Sequence, residues 1–260
     1  MKLSIIIVSF NTKRILMDCI KSIYANYRIN IEIGEFEIIV VDNNSTDGTC
    51  EIITKDYTWV TLVKNAKNVG FSKANNLGVK KSKGEVVLFL NPDTIVPAKT
   101  LEFVRKILLD DKSAGIATCK VLLPDGGLDD ASHRGFPTPW RAFTFFLGLG
   151  TLLPRSNIFN GYHLGYQDLH RLHQIDACAG AFLMIKRVVG QAVGWFDEDY
   201  FWYGEDLDLC FRVKKNGYKV LFVPDVSIFH YKGAASGFKK HSAHLSKIDD
   251  ETKKRITNAR

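Results

Sequence analysis

The sequence predicts an α/β protein built on a mostly parallel central sheet with helices on both faces. Three observations predict it. Over the first 110 residues, short apolar runs alternate with segments of helical spacing, the order of a strand–helix repeat. The runs are apolar at successive rather than alternate positions, as in strands covered on both faces. Polar residues gather just after the runs, at Asn11, Asp42 to Asn44, Asn91 and Asp93, where open α/β sheets bind their ligands.

Each element follows from a local signal. Leu3–Ser9 is an apolar strand. Thr12–Tyr24 carries Ile15, Leu16, Cys19, Ile20 and Ile23 at helical spacing. Phe36–Val41 is a second strand, ending in the polar turn Asp42-Asn43-Asn44-Ser45, and Ser45 or Thr46 is placed to cap a helix running to about Lys55. Trp59–Val63 is a third strand, Ser72–Lys80 a third helix, and Val86–Leu90 a fourth strand before Asn91-Pro92-Asp93. Pro97 then opens a helix to about Leu109. The second half is less regular. It holds a strand at Gly115–Val121, a Gly-, Asp- and Pro-rich loop over Pro124–Pro139, and an apolar aromatic stretch over Trp140–Leu153. A strand at Ala177–Lys186, a helix at Glu205–Asn216 closed by Gly217, and short strands at Lys219–Val223 and Ser227–His230 follow.

Composition narrows the function. At 260 residues, 46% hydrophobic and 24% charged, the chain is an ordinary globular one, enough for one large domain and a tail. Its longest apolar run, Ala142–Leu153, falls short of the roughly 18 residues of a membrane-spanning helix. The N-terminal apolar run reads as a strand and not as a signal peptide. Five cysteines without a CxxC pair argue against a zinc ribbon and a disulfide framework and suit a reducing cytosol. Of the net charge of +7, residues 232–260 carry +5, with eight Lys and Arg against three Asp and Glu. The remaining body does not read as a nucleic-acid-binding surface. No GxGxxG follows the first strand, and no P-loop, GxSxG or HExxH occurs.

The strings IIIVSFN (5–11), EIIVVDNNSTDGT (37–49), NVGFSKANNLG (68–78) and VVLFLNPDTIV (86–96) resemble family-2 glycosyltransferases. So do CAGAFLMIK (178–186), VGWFDEDYFWYGEDLDLCFRVKKNGYKVLFVP (193–224) and FHYKGAASG (229–237). The similarity runs in register over about residues 3–237 and points to the bacterial branch often assigned as rhamnosyltransferases. It implies the GT-A fold, a Rossmann-like, mostly parallel sheet with helices on both faces and a less regular acceptor-binding half. The domain would span 1–232, with a nucleotide-sugar half over 1–110 and an acceptor half over 111–232. A basic, partly helical tail would follow over 233–260, either truncated or folding against something absent.

The resemblance also implies chemistry: inverting, metal-assisted transfer of a sugar, L-rhamnose in that branch, from a dTDP- or UDP-linked donor. The acceptor would be a glycan or polyprenyl-linked hydroxyl in bacterial surface polysaccharide synthesis. Asp42 would accept the N–H of a uracil or thymine ring in a charge-assisted hydrogen bond, or else serve as a turn or capping residue. Ser9, Phe10 and Asn11 would frame base and ribose. Asn68, Gly70 and Asn75 match the ribose- and phosphate-side loop, where Gly70 either admits the nucleotide or simply turns the chain. Asp93 matches the last acid of the DxD motif, which binds Mg2+ or Mn2+ and neutralises the leaving diphosphate. Asn91 replaces the first acid and removes one charged ligand. His230 matches a third metal ligand, or is a packed strand-end histidine.

The base of an inverting transfer, which takes the acceptor proton, would come from Glu205-Asp206, with Asp206 first and Glu205 second; N-capping is the plain alternative for Asp206. The helix dipole at this first turn favours the ionised form, and Asp208 and Arg212 are spaced to pair along the same helix. Asp176, Gly180 and Ala181 would wall off donor sugar from acceptor, or pack a strand. Of the aromatics Trp195, Phe196, Trp202 and Tyr203, the last two are matched to the acceptor, with core packing as the alternative. Trp140–Leu153, flanked by Arg141 and Arg155, would seat the protein on an anionic membrane at its cytoplasmic face, or form a buried helix. Two other classes compete. A sugar nucleotidylyltransferase would want a basic Gly-rich loop where Ser9-Phe10-Asn11 stands, and an inactive nucleotide-sugar or carbohydrate-binding module is kept open by Asn91.

Overall fold

In a computed structural model, residues 1–232 are described. In chain order the elements are β1 (Leu3–Ser9), α1 (Lys13–Glu32), β2 (Phe36–Asp42), α2 (Thr49–Asp56), β3 (Thr61–Lys64), α3 (Phe71–Lys81), β4 (Val86–Leu90), β5 (Thr94–Ile95) and α4 (Thr100–Asp110). Then come β6 (Ala114–Leu122), α5 (Pro139–Phe146), α6 (Leu149–Leu152), β7 (His173–Ile175), β8 (Phe182–Lys186), α7 (Arg187–Val193), α8 (Glu205–Lys215) and β9 (Lys219–His230). The tail expected over 233–260 lies outside the described residues.

All nine strands join one sheet in the order β3-β2-β1-β4-β8-β6-β9-β5, with β7 also on β9. β3, β2, β1 and β4 are mutually parallel. β8 runs antiparallel between β4 and β6, and β9 is parallel to β6. Six strands therefore point one way, and only β5, β7 and β8 oppose them. The unbroken apolar runs have a direct cause. In β1, Leu3, Ile5 and Ile7 join the core on one face with Leu16, Ile20 and Ile23 of α1 and Val104 and Leu108 of α4. Ile6 and Val8 join the core on the other face, with Ala74 and Val79 of α3 and Leu209 and Val213 of α8. Each such fully buried aliphatic side chain contributes about 1.5–3 kcal/mol.

Several boundaries differ from the sequence reading. α1 continues to Glu32, with a kink at Tyr27. Tyr27 is buried, and its hydroxyl donates to the Pro97 carbonyl at 2.7 Å and accepts from Leu101 N–H at 3.1 Å. α4 accordingly begins at Thr100 and not at Pro97. α2 starts at Thr49 behind Gly48, with φ +81°, and neither Ser45 nor Thr46 caps it. The strand expected over 177–186 shrinks to β8, because the chain turns at Ala179, whose carbonyl accepts from Phe182 N–H. The two short strands expected at 219–223 and 227–230 are one strand, whose register on β6 shifts at Pro224–Val226, since proline cannot donate to a ladder. Trp140–Leu153 forms two short helices broken at Gly148, and most of its apolar side chains are exposed, so the buried-helix reading fails. All five cysteines are free.

Candidate active site

β2 and β4 flank β1 on opposite sides, so the connections reverse direction there and leave a crevice beyond the carboxyl ends of the strands. A cleft of about 590 Å³ opens at that point. From the first half it is lined by Phe10, Asn68, Gly70, Asn91 and Asp93, and from the second by Gly180, Ala181, Trp202, Tyr203, Glu205, Asp206 and His230. The two sets of sequence-predicted residues thus face one space.

Five expected residues do not line it. Ser9 is buried, its hydroxyl 2.9 Å from that of Thr12. Asn11, at φ +53°, accepts from Thr46 N–H at 2.8 Å and donates its own N–H to Ser45 Oγ. Asp42 ends β2 and accepts from Ser45 N–H at 2.8 Å, which is the turn role. Beside it, the Cys50 thiol is pushed up to about 11 by burial and by the Asp42 carboxylate. Asn75 donates back to the Phe71 carbonyl inside α3. Asp176 lies between Arg141, at 2.6 Å, and Lys214. Burial works to raise its pKa, but those two cations hold it below the usual range. It ties α5 to α8 through these two pairs rather than walling the cleft, and Arg141 is turned inward to it.

At the end of β4, pairing of Thr94 with His230 brings β9 against the Asn91–Asp93 turn, and Tyr231 N–H donates to the Asp93 carbonyl at 2.8 Å. His230 Nε2 lies 3.2 Å from Asp93 Oδ1 and 3.4 Å from Asn91 Nδ2. Its Nδ1 is 3.1 Å from Asp129 Oδ2. Burial opposes charge on this ring, but its bonds to Asp129 and Asp93 prevail and push it up to about 9. Asp129 is itself buried, and despite that burial His230 and Lys232 keep it well below the usual carboxylate range. The histidine therefore lines the cleft and meets two acids, rather than packing only against its strand neighbours.

Across the cleft, Glu205 and Asp206 occupy the first turn of α8. Gly204, at φ +93°, is the N-cap, so neither carboxylate caps the helix. Asp206 Oδ2 accepts from Arg134 at 2.8 Å and its Oδ1 from Leu207 N–H at 2.7 Å. Glu205 is pushed up to about 7, by burial first and then by the neighbouring Asp206 charge. Farther along, Arg212 Nε donates to Asp208 Oδ2 at 2.8 Å and the same guanidinium reaches the Trp195 carbonyl, which fixes the preceding loop. That loop is strapped to α3. Phe71 N–H donates to the Phe201 carbonyl, Ser72 Oγ to the Tyr200 carbonyl, and Asn76 Nδ2 to the Phe196 carbonyl. The aromatics divide accordingly. Phe196 packs on Phe89 and Trp195 packs over Gly190, whereas Trp202 and Tyr203 are exposed at the cleft. Gly70, at φ +86°, turns the chain where a Cβ would lie 2.8 Å from Phe201.

Sequence reasoning missed Asn43, Asp129, Arg134 and Lys232, which also line the cleft. Asn43 reads as a turn former, yet its amide donates to the Gly70 carbonyl at 3.1 Å and ties two cleft loops together. Asp129 and Arg134 sit in the aperiodic 124–139 loop, where only their charge marked them.

Residues 4–180 match the family described as Glycosyl transferase family 2. Rhamnosyltransferase WbbL of Escherichia coli (strain K12) is 29% identical over 223 residues, 82% of this chain and 79% of that protein. An N-acetylglucosaminyl-diphospho-decaprenol L-rhamnosyltransferase of Mycobacterium tuberculosis (strain ATCC 25618 / H37Rv) is 28% identical over 80% of this chain and 70% of that protein. Uncharacterized protein y4gI of Sinorhizobium fredii is 30% identical over 78% of this chain, which spans only 22% of that protein. Among solved structures, a mannosyltransferase from Pyrobaculum calidifontis in complex with GDP-Man and Mn2+ superposes with a TM-score of 0.63 at 20% identity, over 93% of this chain and 59% of that one. S. aureus TarS 1-349 in complex with UDP gives 0.60 at 19% identity, over 88% of this chain and 60% of that one. These similarities show the GT-A fold. The family match extends over more than half of the sequence, and the chain belongs to glycosyl transferase family 2.

Proposed function

We propose that this chain is an inverting glycosyltransferase that moves a sugar, L-rhamnose, from a dTDP- or UDP-linked donor to a glycan or polyprenyl-linked hydroxyl. The observation that carries the reading is the single cleft lined both by Asp93 and His230 and by Glu205, Asp206 and Arg134. The rhamnosyltransferase relatives at 28–29% identity support the sugar. In this reading residues 1–232 form the transferase domain, with the donor half over 1–110 and the acceptor half over 111–232.

Phe10 and Asn68, which line the cleft, would frame base and ribose, together with the backbone at Ser9–Asn11. Among the described residues, no group of three His, Cys, Asp or Glu side chains forms a complete metal site. Asp93 and His230 nonetheless fit a divalent cation. They lie 3.2 Å apart at the cleft, so that the carboxylate and the imidazole would hold one divalent cation together. One carboxylate and one imidazole suit Mn2+ better than Mg2+. Such a cation supplies charge neutralisation on the departing diphosphate. Asp206 takes the acceptor proton while Arg134 holds its carboxylate towards the cleft, and Trp202 and Tyr203 stack on the acceptor. A second reading, in which Glu205 is the base, is favoured by its position near neutral.

A thermal-shift screen of UDP-, dTDP- and GDP-sugars with Mn2+, coupled to a transfer assay, tests the whole reading. The expected result is a shift with pyrimidine donors and transfer that Asp206→Asn abolishes. A preference for purine donors, or undiminished transfer by that variant, overturns it. Slow release of nucleoside diphosphate from the donor alone separates the transferase from an inactive binding module.

Among the described residues no helix is long and apolar enough to cross a membrane. We place α5 and α6 against an anionic cytoplasmic-face membrane. Phe146 is 83% and Leu152 74% exposed, with Trp140, Phe143, Leu147 and Leu153 around them and the exposed Arg155 beside them.

A further inference from the structure

We propose that Asp129 is a positioning residue, which fixes the His230 ring so that Nε2 stands beside Asp93 as the imidazole donor of the cation site. The inference rests on the reading of Asp93 and His230 given above and assigns a role to a residue outside it. Strand pairing at Thr94 and the bond from Tyr231 N–H to the Asp93 carbonyl fix the backbones of Asp93 and His230. They leave rotation of the imidazole open. What its nitrogens meet decides the ring orientation and which nitrogen carries the proton.

Asp129 is 1% exposed, and its backbone is held at both ends. Its N–H donates to the Val121 carbonyl at 2.8 Å, and its carbonyl accepts from Ser132 N–H at 2.8 Å and Ser132 Oγ at 2.7 Å. Its Oδ1 accepts from Ala131 N–H at 3.1 Å and from Lys232 Nζ at 2.7 Å. That leaves Oδ2, 3.1 Å from His230 Nδ1, as the oxygen that faces the ring. With Nδ1–H donated to Asp129, Nε2 is the nitrogen presented to Asp93 at 3.2 Å. A carboxylate on the far nitrogen of a metal-binding histidine fixes its tautomer and raises its basicity, and losing that carboxylate costs 10–100-fold in metal affinity. A ring flipped about χ2 would turn carbon towards both acids.

The test measures Mn2+ binding by electron paramagnetic resonance in the presence of UDP, on the full chain and on variants checked for folding by circular dichroism. Asp93→Ala and His230→Ala should lose the bound Mn2+. Asp129→Asn and Asp129→Ala should weaken it about 10–100-fold. In the transfer assay they should raise the Mn2+ concentration for half-maximal rate by the same factor, with kcat largely recovered at saturating Mn2+. Nitrogen-15 spectra of the unmutated protein with UDP and diamagnetic Cd2+ should show His230 protonated on Nδ1, a readout independent of any variant's folding. If His230→Ala binds Mn2+ like the parent, the cation site is elsewhere and the role of Asp129 falls with it. If His230→Ala loses Mn2+ while both Asp129 variants keep parental affinity, or if the proton sits on Nε2, the cation site stands and the positioning role is refuted.

Discussion

Glu205 and Asp206 are consecutive, yet their surroundings set them apart. Asp206 meets Arg134 and a backbone N–H, while Glu205 is buried beside the Asp206 charge and rises to about 7. The raised value has a stability consequence. Folding favours the protonated carboxyl, so the group is neutral without penalty below its ordinary value of about 4.5. As pH climbs through about 7 the folded protein must ionise it, at a cost of up to about 3 kcal/mol. Glu205→Gln should therefore raise Tm at pH 8 and give no gain below about pH 4.5, as calorimetry across that range would record. The same variant separates the two candidate bases. If Asp206 is the base, Glu205→Gln keeps measurable transfer and Asp206→Asn loses about 10³-fold or more in kcat without losing the donor-induced thermal shift. If Glu205 is the base, the parental rate rises with pH through about 7 and Glu205→Gln removes both that limb and the transfer.

At the scale of elements, what the sequence revealed depends on how far apart the cooperating residues lie. β1, β2 and β4 were legible because each is buried on both faces and apolar throughout. β5 and β7 have only two and three residues, too few to show a period, and exist because β9 offers them an edge. The start of α4 was illegible for another reason. Its first-turn Leu101 N–H finds the hydroxyl of Tyr27, 74 positions earlier, and no local signal carries that partnership. Tyr27→Phe leaves Leu101 N–H and the Pro97 carbonyl without that buried partner, which costs about 1–3 kcal/mol and should lower Tm by several degrees in a thermal melt. The candidate site divides in the same way. Asn91 and Asp93 at the end of β4 were visible from position alone, although the same reasoning also picked Asn11 and Asp42, which do not line the cleft, whereas Asp129 and Arg134 enter it from a loop whose path depends on β6 and on the turn at Asp129–Ser132.

For the whole molecule, the arrangement of the apolar surface matters most. The two faces of the sheet are sealed by helices, but α5 and α6 leave Phe146, Leu147, Leu152 and Leu153 facing outwards. Arg141 does not contribute to this surface, because it is paired with Asp176. In the proposed membrane contact the attraction would then come chiefly from the apolar side chains, each worth about 1.5–3 kcal/mol when fully buried, with Arg155 as the adjacent charge. A binding mode of that kind responds weakly to salt and strongly to the loss of one or two large side chains. Phe146→Glu combined with Leu152→Glu should cut co-sedimentation with anionic liposomes about tenfold or more. Because neither side chain touches the cleft, transfer to a short water-soluble acceptor should persist. Raising salt on the parental protein should reduce binding by a smaller factor. Undiminished co-sedimentation of the double variant would place the membrane contact elsewhere on the chain, and loss of soluble-acceptor transfer would show instead that α5 and α6 support the acceptor half from within.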